Sequence, residues 1–171
     1  PPNAPPDWSP FWRGTSAQYV RILNAAYDAT KAADPTVVVL SSGLAPLTPT
    51  ALARWLDAFF ANDPRPRFDW FGWHPYGIVA EAGPDANDGT TSSFRGFERI
   101  AERLDKEGYT GAPILLSEFG YGTGAPDPSL QGWVDEMVAS MLPEGFAAAR
   151  SSPRVRGFNW FSVQYHGWEG E

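Results

Sequence analysis

Pro113-Ile114-Leu115-Leu116-Ser117-Glu118 gives the clearest indication of the fold of this chain. It is a short apolar run that begins at a proline and ends in a carboxylate, which is typical of a strand covered on both faces. Because side chains alternate along a strand, Ile114, Leu116 and Glu118 are predicted to share one face. A carboxylate costs several kcal/mol if it is buried there without a partner. Glu118 is therefore predicted to be either an ion-paired or exposed strand end, or a nucleophile that points into a cleft.

Three further apolar runs on either side of this stretch predict strands at 37–40, 68–73 and 155–163. The first of these, rich in valine, is also predicted to be covered on both faces. Apolar residues at helical spacing predict helices in the intervals 15–35, 48–59, 94–108 and 130–141. Thr15 and Gln18 have the spacing of a capping box at the start of the first helix. Pro143 is predicted to interrupt the fourth helix, because proline cannot continue the hydrogen-bond ladder.

Helices and strands thus alternate through one domain, residues 1–171, with no evident linker. This order predicts an α/β fold with a parallel sheet. Two architectures satisfy it, a doubly wound open sheet and a segment of a (β/α)8 barrel. Polar residues follow the carboxyl end of each strand, where both architectures bind ligands. The absence of a glycine-rich phosphate loop makes a nucleotide-binding open sheet the weaker interpretation.

Composition excludes several classes of function. The 171 residues carry a net charge of -7, which disfavours nucleic acid as a partner. No apolar run approaches the roughly 20 residues of a membrane-spanning helix. Cysteine is absent, which excludes disulfides and thiolate chemistry and leaves the compartment open. Aromatic residues make up 15% of the chain, with 8 tryptophans. Their flat apolar faces and polar edges suit either a core or a carbohydrate ligand.

Other candidate site residues also lie at strand ends. His74 and Tyr76 are two apart, so they face the same way and can lie beside Glu118 if their strands are neighbours. Trp160 shares a strand face with Gln164, and is predicted either to form the floor of a sugar site or to pack in the core. A metal site is disfavoured, because the only 2 histidines lack the HExxH spacing. No cofactor is predicted.

Taken together, these residues resemble clan A glycoside hydrolases, the (β/α)8 superfamily that includes the cellulase-type family 5 and β-xylosidase-type family 39. The segments 41–46, 71–76, 113–120 and 157–161 resemble the ends of strands five to eight of that barrel. The resemblance implies a partial TIM barrel and a retaining O-glycosyl hydrolase that acts on a β-linked glycan or glycoside. It implies that Glu118 is the nucleophile, that His74 and Tyr76 flank it, and that substrate is bound by aromatic and polar side chains. The substrate-binding candidates are Trp73, Trp160, Gln164 and Trp168.

One departure from the family pattern concerns the general acid/base. The family carries an Asn-Glu pair at the end of strand four. The residues from Pro2-Asn3 onward resemble the segment directly after that pair, but position 1 is proline. The expectation is that the acid/base lies upstream of Pro1 and that this chain alone is inactive. Two alternatives stay open, a non-catalytic carbohydrate-binding pseudoenzyme and a half-barrel that pairs with another chain, the missing N-terminal half. An extracellular or periplasmic location is preferred to a cytoplasmic one.

Overall fold

The computed structural model describes residues 14–44, 49–75, 95–119 and 128–160. Within them, helices and strands alternate as the sequence predicts, except that no strand separates the first two helices in the part of the chain that the structure describes. The helices are α1 (Ser16–Ala33), α2 (Pro49–Phe60), α3 (Gly96–Lys106) and α4 (Gln131–Ser151), the last preceded by a 3-10 turn, Pro128–Leu130. The strands are β1 (Phe71–Trp73), β2 (Ile114–Phe119) and β3 (Val155–Trp160).

The sheet is parallel and its strands are neighbours in chain order. β2 lies between β1 and β3, with Phe71 opposite Ile114 and Leu116 opposite Phe158. A further extended segment, 39–44, runs parallel to β1 on its other side and is called here the edge segment; it forms bridges at Leu40 and Leu44. The α/β class is therefore confirmed. The described residues form a small parallel sheet and show no closed barrel.

The predicted first strand differs from expectation. Val37 and Val38 are each 44% exposed, so this run is not covered on both faces and that prediction is wrong. Pairing with the chain before β1 begins only at Val39, whose carbonyl accepts from the N–H groups of Asp69 and Trp70 at 2.8 and 3.2 Å. The reason is positional, because this segment lies at the edge of the described sheet, where one side of a strand has no neighbour.

The helix ends follow local chemistry, with one exception. The capping box of α1 is confirmed, since the Thr15 hydroxyl accepts from the Gln18 N–H at 3.2 Å and the Gln18 side chain accepts from the Thr15 N–H at 2.8 Å. The predicted interruption at Pro143 is wrong, because α4 continues through it to Ser151. A proline inside a helix costs about 3 kcal/mol. Burial of Met141, Ala148 and Ala149 on the same helix offsets that cost.

One apolar core joins all four helices to one face of the sheet. Phe59 of α2 lies at its centre, with its ring 4.8 Å from that of Trp55 and 6.5 Å from that of Phe71. Phe146 of α4 contacts Phe158 of β3, with ring centroids 4.5 Å apart. The fully buried side chains of the strands all belong to this core; they are Phe71, Trp73, Ile114, Leu116 and Phe119.

The other face of the sheet carries glycines where neighbouring groups approach closely. A Cβ at Gly72 would lie 2.8 Å from the carbonyl oxygen of Ser41, and a Cβ at Gly157 would lie 2.4 Å from Cδ1 of Leu115. Neither position has room for a side chain unless a neighbour moves. The sheet therefore has a helix-covered face and a second face on which two glycines lie close to atoms of the neighbouring strands.

Candidate active site

His74 and Glu118 meet at the carboxyl end of the sheet. His74 follows β1 directly and Glu118 is near the end of β2, so parallel pairing of the two strands brings them to the same edge. Nδ1 of His74 lies 3.4 Å from Oε2 of Glu118. The His74 side chain is 15% exposed and that of Glu118 is 40% exposed. The predicted proximity is confirmed, and the carboxylate is the member of the pair that a ligand can reach.

An irregularity in β2 decides which way Glu118 points. Leu116 pairs with Phe158 and Phe119 pairs with Trp160, so three steps along β2 oppose two steps along β3. Such an extra residue is a β-bulge, and bulges redirect side chains. As a result Phe119, not Glu118, continues the buried face that Leu116 begins. The prediction that Glu118 shares a face with Ile114 and Leu116 is wrong, because strict alternation fails at the bulge.

The protonation of His74 follows from its surroundings. Burial lowers the pKa of His74, and the nearby Glu118 carboxylate opposes this by raising it; the net shift is downward. The imidazole is therefore neutral at pH 7. A neutral imidazole has one N–H, and the nitrogen that faces a carboxylate is the one that keeps it. We assign the proton to Nδ1 and leave Nε2 as the acceptor.

The edge segment closes the other side of His74. Its Leu44 carbonyl accepts from the His74 backbone N–H at 3.0 Å. A Cβ at Gly43 would lie 2.1 Å from Nε2 of His74 and 2.7 Å from Oγ of Ser117. The Ser117 hydroxyl is buried and forms no hydrogen bond with any residue of the described ranges. Gly43 and Ser117 belong to the site but were not predicted from the sequence. The signal for Gly43 was its place at a strand end, after Ser41 and Ser42 and before Leu44.

At the amino ends of the strands, charged side chains form ion pairs with charged side chains of the helices. Asp69, just before β1, lies 2.7 Å from Nζ of Lys31 and accepts from the Val39 N–H at 2.7 Å. Arg154, just before β3, lies 2.9 Å from Asp105. These pairs tie loops to helices. They give that end of the sheet a structural role, whereas the carboxyl end holds the accessible carboxylate.

The remaining predicted site residues have different locations. Trp73 is fully buried in the core and offers no surface to a ligand, and its indole N–H has no hydrogen-bond partner among the residues that the structure describes. Trp160 packs against the core, with its ring 5.7 Å from that of Phe119. Tyr76, Gln164 and Trp168 lie outside the described residues.

Among residues 14–44, 49–75, 95–119 and 128–160, no group of three or more His, Cys, Asp or Glu side chains could hold a metal ion. No helix in that part of the chain is long and apolar enough to cross a membrane.

No protein-family model matches the chain, and no curated protein matches it.

Proposed function

We propose that this chain belongs to a retaining glycoside hydrolase built on a (β/α)8 barrel, with Glu118 as the nucleophile and His74 beside it. The observation that carries the proposal is the contact between Nδ1 of His74 and Oε2 of Glu118 at 3.4 Å, with the carboxylate 40% exposed. Barrel enzymes place their catalytic groups at the carboxyl ends of parallel strands, and the accessible carboxylate and its neutral imidazole neighbour lie at that end of this sheet.

The arrangement of the sheet supports the barrel over a doubly wound sheet. When parallel strands follow one another in chain order and every crossover connection has the same hand, all the crossover helices lie on one face of the sheet. The single core that joins all four helices to Phe71, Leu116 and Phe119 agrees with that arrangement. A doubly wound sheet has helices on both faces. The second face of this sheet is instead packed at glycines, which suits the narrow interior of a barrel.

The proposed chemistry uses Glu118 as a carboxylate that attacks the anomeric carbon of a β-linked sugar. A covalent bond forms between a Glu118 oxygen and that carbon as the glycosidic bond breaks. A second carboxyl group, about 5 Å away, donates its proton to the leaving oxygen and later takes a proton from the attacking water. That water releases the sugar and restores Glu118. The imidazole of His74, with Nδ1 3.4 Å from Oε2, orients the carboxylate for attack.

The substrate class is a neutral carbohydrate. The net charge of -7 disfavours anionic ligands, and the 8 tryptophans supply surfaces that match the apolar faces of sugar rings. The rings of Trp73 and Trp160 contribute to the core, so we assign sugar stacking to other aromatic side chains of the chain.

A mechanism-based label tests the nucleophile without needing the second carboxyl group. A 2,4-dinitrophenyl 2-deoxy-2-fluoro-β-glycoside has a leaving group that departs without protonation, and its fluorine slows release of the covalent intermediate. We expect one of the gluco, manno, xylo or galacto reagents to label the peptide that contains Glu118. Glu118→Gln should remove the label, whereas Glu136→Gln, at an exposed position on α4, should retain it.

Two outcomes would contradict the proposal. Labelling at another carboxylate would transfer the nucleophile role away from Glu118. Calorimetric binding of a matching oligosaccharide without any covalent label would instead identify a carbohydrate-binding protein that lacks hydrolase chemistry.

A further inference from the structure

The edge segment makes close contacts with the catalytic candidates from outside their own strands. Gly43 has no side chain where a Cβ would come within 2.1 Å of Nε2 and 2.6 Å of Cδ2 of His74. The same Cβ would lie 2.7 Å from the hydroxyl of Ser117, the residue next to Glu118. These distances are below any ordinary contact, so the imidazole occupies the volume that a side chain at position 43 would need.

The edge segment is itself held by specific hydrogen bonds. The Ser42 N–H donates to the Tyr19 hydroxyl of α1 at 2.6 Å, and the Ser41 hydroxyl accepts from the Gly72 N–H at 3.0 Å. Leu40 pairs with Trp70 and Leu44 pairs with Trp73. The edge segment therefore advances four residues where the chain through β1 advances three, so it contains one extra residue. This extra residue brings the backbone at position 43 toward His74.

We propose that the edge segment is the positioning element for His74, with Gly43 as its contact and Tyr19 as its anchor. Gly43 lets the ring lie beside Glu118 because it has no Cβ in the volume that the imidazole occupies, while the Leu44 carbonyl accepts from the His74 backbone N–H at 3.0 Å. Tyr19 and Gly43 are positioning residues, since they act through His74 and not on a substrate. The kinetic consequence rests on the proposed hydrolase function, whereas the placement of the imidazole does not.

The test follows the His74 ring by NMR. The chain has 2 histidines, so His166→Gln leaves one imidazole Cε1–H signal to follow as pH changes. Gly43→Ala should displace the ring into solvent, shift this signal, and move its titration midpoint upward toward that of an ordinary histidine. Gly132→Ala is the matched control, since a Cβ there meets no atom of the described residues within 4 Å and should leave the signal unchanged.

A second variant keeps the test decisive if Gly43→Ala does not fold. Tyr19→Phe removes only the hydroxyl and retains the ring that packs 6.0 Å from Trp55 and from Phe59. It should shift or broaden the His74 signal because the Ser42 N–H loses its acceptor. An unchanged His74 signal in Tyr19→Phe and in any folded Gly43→Ala would overturn the proposal.

The fluoroglycoside label separates this inference from the proposed function. If Glu118 is the nucleophile, Gly43→Ala should slow labelling by about 10²-fold, the effect of a displacement of about 1 Å at a catalytic group. A shifted His74 signal in a protein that no fluoroglycoside labels would support the positioning role and reject the hydrolase. Normal labelling of Gly43→Ala together with an unchanged His74 signal would support the hydrolase and reject the positioning role.

Discussion

Ser41→Ala is the substitution that most directly tests how the edge segment is attached to β1. Ser41 is 4% exposed, and its hydroxyl accepts from the buried Gly72 N–H at 3.0 Å. Alanine removes this acceptor and leaves the N–H in place. Backbone atoms of residues 41–43 lie within 3.0 Å of where a Cβ of Gly72 would stand, so the two segments are already in close contact.

The expected loss follows from the asymmetry of hydrogen-bond energetics. A buried donor left without an acceptor costs about 1–3 kcal/mol, more than the net value of an ordinary hydrogen bond. The methyl group of alanine replaces none of that interaction. For a chain of 171 residues, each kcal/mol corresponds to a fall in Tm of about 2–4 °C. We therefore expect the free energy of unfolding to fall by about 1–3 kcal/mol.

Urea denaturation followed by tryptophan fluorescence and circular dichroism measures this change, with Ser42→Ala as the matched control. Ser42 is exposed, and its hydroxyl is 3.4 Å from the Gly43 carbonyl, so its loss should change the free energy of unfolding by no more than about 0.5 kcal/mol. Equal effects of the two substitutions, or no effect of Ser41→Ala, would refute the role assigned to the Ser41 hydroxyl.

Two other predictions concern stability and its pH dependence. Asn24→Ala should lower the free energy of unfolding by about 2–4 kcal/mol in urea denaturation. The buried amide of Asn24 donates to the Arg65 carbonyl at 3.0 Å and accepts from the Arg67 N–H at 2.8 Å, and alanine removes both bonds. A loss below about 1 kcal/mol would contradict this expectation. Burial lowers the pKa of His74, against the opposing effect of Glu118, so the unfolded chain binds this proton more readily than the folded one. The free energy of unfolding should therefore fall as the pH drops through the ordinary histidine range toward the lower folded pKa. The difference in this free energy between wild type and His74→Gln should shrink between about pH 7.5 and pH 5. A difference that does not vary with pH would argue against a buried neutral imidazole.

Some features of the structure follow from local chemistry and were predictable for that reason. The capping box at Thr15 and Gln18 depends on atoms three residues apart. The approach of His74 to Glu118 required one further step, the rule that consecutive strands in an alternating pattern are parallel neighbours. Each of these predictions uses short-range spacing or a general rule of chain connection.

Other features depended on groups distant in sequence. The face of Glu118 changed because β2 has one more residue than β3 between two paired positions. No periodicity in 113–119 indicates that mismatch. Pro143 lies inside α4 because burial of residues on either side of it outweighs a local penalty. The exposure of Val37 and Val38 reflects their place at the edge of the described sheet.

Side-chain period, caps and chain connection were enough to indicate the four helices, the strands β1 to β3 with their parallel order, and the meeting of a histidine and a glutamate at one end of the sheet. These signals act locally, so they can be read from the order of the residues. Folding in three dimensions was needed to turn the carboxylate away from the buried face, to lower the pKa of the imidazole by burial, and to bring Gly43 beside it. Those outcomes depend on the register between strands and on contacts across 31 residues or more, such as Ser41 with Gly72, where packing and not local preference sets the geometry.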